Sequence, residues 1–220
     1  MSVKEHVTQQ VKKIVREGNT VDENIVSFVK TDFHKTLADC DKTGRSVKQA
    51  TKDTLDGVQA GLEASGHKTK DLLVKSADAI VEATHDITVQ SLDAARTHAD
   101  DAKALVDRAV DKSFAGMDKL DAKVKDGMEK AHTSLQEKTE AEKQKLHEVG
   151  EAIREYAGNK ALSLNDGTRS ALRDSAGKSK AHLRTLAQAS EEHSKKLLHH
   201  SHTKVAEWLG MLKGKLHHKA

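Results

Sequence analysis

An eleven-residue pattern constrains this chain more than any other feature. Blocks of eleven can be laid end to end from Asp39 to Gly214, among them LLVKSADAIVE, GMDKLDAKVKD and GMEKAHTSLQE. Positions 2, 5 and 9 of the sixteen blocks make 48 sites, and only one of them, Glu142, carries a formal charge. With 32% of the chain charged, about fifteen charges would fall there by chance. Position 2 runs through Cys40, Leu62, Leu73, Val106, Leu172 and Val205, position 5 through Ile87, Leu120, Ile153 and Trp208, and position 9 through Val47, Ile80, Leu135 and Leu212. Position 11 is the opposite pole, with Asp71, Glu82, Asp93, Asp126, Glu137 and Glu148 and no base.

Eleven residues over three turns is about 3.67 per turn, close to the 3.6 of an unstrained α-helix. The spacing therefore draws one apolar stripe along a nearly straight helix. Many stripe sites hold Ala, Thr, Ser or Gly. The face is shallow, and any contact it makes must accumulate over length. Composition agrees. There is no proline, aromatics are 2% of the residues, and Leu, Ile, Val and Phe amount to about a fifth of the chain. A compact sheet protein needs more β-branched and aromatic interior and more turn residues than this. A disordered polyelectrolyte would carry a larger imbalance than the net +3 here. The expected fold is all-α, with long amphipathic helices that are extended or folded back as an elongated bundle or coiled coil.

Four regions follow. Val3, Val7, Val11, Ile14 and Val15 mark a short helix over residues 1–18, stopped by Gly18-Asn19. Thr20-Val21-Asp22-Glu23 reads as a capping box opening the repeat region, residues 20–157, with a candidate break at 65–67. Residues 158–168 contain Asn165-Asp166-Gly167, a turn sequence. Residues 169–220 form a basic, His-rich amphipathic helix: from Lys178 onward nine Lys/Arg face three Glu, and seven of the fourteen His lie there. Gly116 and Gly127 are tolerated within helices at about 1 kcal/mol each relative to Ala.

Signatures of catalysis are missing from the sequence: no phosphate-binding glycine loop, no His-Glu-x-x-His, no nucleophile elbow. The expectation is a non-enzyme without a cofactor. Glu82–His85 and Glu129–His132 have the Glu-x-x-His spacing of helical di-iron sites, but chance supplies about one such pair and all four residues lie off the stripe. A solvated polar face is the reading preferred for them. His199 and His202, one turn apart, are weak candidate metal ligands, against the plainer reading of a titrating basic surface. Cys40, alone and on the stripe, reads as a small apolar contact. No apolar run reaches the length of a membrane span, and the N-terminus lacks the apolar core of a secretory signal. A cytoplasmic protein is expected, peripheral on a membrane or granule at most.

The repeat resembles those of group-3 late embryogenesis abundant proteins, apolipoproteins, synucleins and lipid-droplet coat proteins. GMDKLDAKVKD and GMEKAHTSLQE are the blocks most similar to that pattern. In composition alone the chain is similar to phasins, which coat polyester granules. Trp208, Cys40, the His-rich tail and a frequently polar position 1 depart from the late-embryogenesis pattern. The resemblance implies a non-catalytic helical coat or scaffold that meets a lipid, polymer-granule or partner-helix surface. Leu72, Leu105, Leu120, Leu135, Leu146, Ile153 and Leu197 would carry contact along the stripe. Val205, Trp208, Leu209, Leu212 and Leu216, flanked by Lys204, Lys213 and Lys215, would anchor the end. The alternatives are a conditionally folded stress protectant and a self-assembling coiled coil. Nucleic acid is the less suitable partner, because the tail's lysines are interspersed with Leu and Trp and lack stacking aromatics.

Overall fold

The computed structural model describes the backbone of residues 1–67, 69–112, 117–159 and 164–217; side chains are described for these except at 69, 105–112, 117–125, 128, 198, 201, 202, 204, 205 and 208–217. Among the described residues there are six α-helices and no strand: α1 (Val3–Glu17), α2 (Val21–Thr43), α3 (Val47–Ala64), α4 (Thr69–Lys112), α5 (Met117–Asn159) and α6 (Asp166–His217). The helices pack as a helical bundle.

Local chemistry explains the helix ends. Ser2 caps α1 by accepting from the Glu5 N–H, and the Glu5 carboxylate accepts from the Ser2 N–H in return, a complete capping box. The Ser2 N–H first, and then the Ser2 hydroxyl, hold the Glu5 carboxyl below its ordinary range. Gly18 and Gly44 take left-handed backbone angles, φ 73° and 68°, and close α1 and α2. Ser46 caps α3, and Asn165 caps α6 through its Oδ1, which accepts from the Thr168 N–H at 2.8 Å. The turn expected at Asn165-Asp166-Gly167 is thus a helix start.

The capping box expected at Thr20 is not formed. Thr20 is itself left-handed (φ 43°, ψ 47°), and its side chain makes no capping hydrogen bond. Two left-handed residues in three, Gly18 and Thr20, reverse the chain within a short link. That backbone takes the Thr20 hydroxyl out of the extended geometry a cap requires. Asn24 reaches back instead, its Nδ2 donating to the Asn19 carbonyl at 2.9 Å. The stretch 20–157 is divided among α2, α3, α4 and α5, with turns at Gly44 and at 65–67.

Two compact units make up the chain. The first comprises Met1–Val89 and Lys143–Arg184, the second Gln90–Glu142 and Thr185–Ala220. In the first, all six helices contribute to a core containing Val7, Val11, Ile25, Val29, Phe33, Leu37, Leu55, Leu62, Leu73, Ile80, Ile153 and Leu172. Paired contacts fix helix directions. Gly57 meets Val7 and Gly61 meets Val11, so α1 and α3 run parallel. Asp22 pairs with Lys75 at 3.0 Å and Lys30 with Asp86 at 3.0 Å, so α2 and α4 run parallel as well. α3 is buried on several sides, from Val47 and Ala50 through Thr51, Thr54, Leu55 and Val58 to Leu62.

In the second unit, parts of α4, α5 and α6 pack around a core that among the described residues contains Ala99, Leu135 and Leu197, with Ala95 and Ala131 half-buried against it. Leu92 and Leu186 are also buried there.

Candidate functional site

The candidate site is the stripe itself. In the first unit, stripe positions carried by Cys40, Thr51, Thr54, Val58, Leu62, Leu73, Ser76, Ile80 and Thr84 are buried. Leu72, Leu146 and Ile153, expected to meet an external surface, are no more than 2% exposed. In the second unit Leu135 and Leu197 are likewise buried. These described parts of the face that the repeat draws are therefore packed within the chain. The side chains of Leu105, Leu120, Val205, Trp208, Leu209, Leu212, Leu216, Lys204, Lys213, Lys215 and His202 lie outside the described residues. His199 is exposed, and its carbonyl accepts from the Thr203 hydroxyl at 2.9 Å.

Several hydroxyls of the stripe can be buried because their own helix supplies the acceptors. Thr51 donates to the Val47 carbonyl, Thr54 to Ala50, Thr84 to Ile80, Thr139 to Leu135 and Ser175 to Ala171, all four residues back and between 2.7 and 3.1 Å. These bonds offset the cost of burying a hydroxyl without requiring a neighbouring helix.

Polar contacts also cross between helices. Glu142, the charged exception in the repeat, is 1% exposed. Its Oε1 accepts from Ser91 Oγ at 3.0 Å and lies 3.5 Å from Lys138 Nζ. One turn away, the Thr139 and Ser190 hydroxyls join α5 to α6 at 3.0 Å. In the first unit the buried Tyr156 hydroxyl donates to Gln59 Oε1. Burial, with the negative charges of Asp56 and Glu63 adding to it, pushes that phenol far above its ordinary range. Cys40 is a free thiol inside the same core, raised by burial.

The Glu-x-x-His pairs take different roles. Glu82 pairs with Lys30 at 3.4 Å, and the His85 ring stacks on His182, centroids 3.9 Å apart and planes 28° from parallel. Burial first, and then the neighbouring His85, lower the His182 pKa from its ordinary 6.5, against an upward pull from Glu82 and Asp86. In the second unit Glu129 is exposed and His132 half-buried. Among the described residues no group of three or more His, Cys, Asp or Glu is placed to hold a metal ion. Among them, too, no helix is long and apolar enough to cross a membrane.

Two glycines escaped the sequence reading. A methyl group on Gly57 would lie 2.7 Å from Val7 Cβ and 2.8 Å from the Lys4 carbonyl oxygen; one on Gly61 would lie 2.7 Å from Val11 Cβ. The Gly-x-x-x-Gly spacing was the available signal: it clears one face of α3 so that the α1 backbone can approach closely. Comparison with protein-family models, with curated proteins and with solved structures finds no match for this chain.

Proposed function

We propose that the chain is a non-catalytic helical coat or scaffold protein. It holds its apolar stripe closed within the bundle in solution and presents it to a lipid or polymer-granule surface when the second unit opens. The polar seam of that unit carries the reading. Among the described residues, the buried Glu142 carboxylate with Ser91, and Thr139 with Ser190, lie in it beside Leu92, Ala99, Leu135, Leu186 and Leu197. A fully buried leucine is worth about 1.5–3 kcal/mol, and a net hydrogen bond about 0.5–1.5 kcal/mol, so the polar stretches hold these helices together more weakly. On an apolar surface the same leucines stay out of water. The exchange therefore costs little, and the basic tail favours an anionic surface.

A reversible lock tests this. The Thr139 and Ser190 oxygens are close enough for cysteines at both positions to bridge, with Cys40→Ala removing the competing thiol. Binding to vesicles rich in anionic phospholipid is followed by the fluorescence of the single Trp208. The reduced Thr139→Cys/Ser190→Cys form should bind with a blue shift, and the oxidised form should bind about tenfold or more weakly. Equal binding by both forms removes the opening step. No binding by the wild-type chain removes the surface.

A further inference from the structure

We propose that the stacked His85–His182 pair is an acid-sensitive latch between α4 and α6 of the first unit: the neutral rings hold the two helices together, and protonation drives them apart. The geometry carries the argument. Two imidazoles 3.9 Å apart and nearly parallel make a favourable stacked contact when both are neutral. Two imidazolium ions at that distance, partly out of water, repel.

The surroundings decide whether the charge finds a partner. On α4, Glu82 and Asp86 flank the pair and favour the protonated form. Both carboxylates, however, are engaged by Lys30 of α2, at 3.4 and 3.0 Å. Those pairs hold Lys30 above its ordinary range, the Asp86 hydrogen bond contributing most. One turn before His182, Lys178 of α6 is spent on Asp78 of α4 at 2.7 Å. The neighbouring contact from α5 is uncharged, Gly150 against Ser179. Lys30 thus takes up the negative charge that would otherwise welcome an imidazolium.

The sign follows from linkage. Folding holds His182 below its ordinary 6.5, so as pH falls the unfolded chain takes up that proton first. The stability contributed by the neutral pair is present above about pH 6.5 and is lost as pH falls below it. Neither histidine belongs to the surface-binding reading, so the latch stands or falls separately.

Two measurements on the full chain test it. The first follows the His182 ring protons by NMR between about pH 8 and pH 5 in the wild type, His85→Gln and Lys30→Gln. His182 should titrate below the ordinary value in the wild type. It should move upward in His85→Gln, which removes the like charge, and in Lys30→Gln, which frees Glu82 and Asp86. The second compares urea midpoints at neutral and acid pH. The wild type should lose stability on acidification, and both His182→Gln and Lys30→Gln should lose less. A His182 titration that neither substitution moves would overturn the latch, as would an acid loss of equal size in wild type and His182→Gln.

Discussion

At the scale of single residues, glycine decides where helices touch. Gly57 and Gly61 are the positions on α3 at which the backbone of α1 and the Cβ atoms of Val7 and Val11 leave no room for a methyl group. Gly61→Ala should therefore destabilise the chain by about 1–3 kcal/mol, because overpacking outweighs the ~1 kcal/mol that alanine gains as a helix former. Gly177 on α6 faces open space, and Gly177→Ala should raise stability by ~0.5–1 kcal/mol. Urea denaturation of the two variants checks the opposite signs. The stripe residues themselves were legible in the sequence, since charge is excluded from positions such as Leu62, Ile80 and Ile153, all buried. What such a pattern leaves out is the identity of the facing surface. Leu72, Leu146 and Ile153 would read the same whether they met lipid or α-helix. Only the tertiary contacts distinguish the two.

At the scale of elements, the amphipathic pattern located helix interiors better than helix ends. Gly18 was readable as the stop of α1 because a left-handed residue there suits glycine. The start of α2 was misread, since Thr20-Val21-Asp22-Glu23 has the letters of a capping box but a preceding turn that puts Thr20 in the left-handed region. A capping role would make Thr20→Gly slightly destabilising. The observed backbone reverses the expectation: a β-branched residue at φ 43° is strained by about 1–2 kcal/mol, and no capping bond is lost with the side chain. Thr20→Gly should stabilise by about 1 kcal/mol, measured by the same urea titration. Ser2–Glu5 shows the converse, a true box lying within the first five residues.

At the scale of the molecule, the two units differ in what they bury between helices. Among the described residues, the first packs Phe33, Leu37 and Ile153 into one core with α3, whereas the second buries the Glu142 carboxylate against Ser91 and Thr139 against Ser190. Local opening should follow that difference. Along α5, which belongs to both units, amide exchange should slow from 131–142 to 149–156, by at least about tenfold in hydrogen-exchange mass spectrometry. Uniform protection along α5 would contradict both the gradient and the ease of opening assigned to the second unit. The partition itself was not legible beforehand. The repeat passes through both units without a change of phase.

The hydroxyls bonded to carbonyls four residues back have a mechanical consequence. Because Thr51, Thr54, Thr84, Thr139 and Ser175 are satisfied within their own helices, sliding one helix along another would break none of those bonds. A displacement of one repeat, about 16 Å at 1.5 Å per residue, would again set stripe against stripe. Such a seam behaves as a greased track. Within each unit, the stops include Val7 and Val11 seated on Gly57 and Gly61, Tyr156 on Gln59, Ser91 on Glu142, and Thr139 on Ser190.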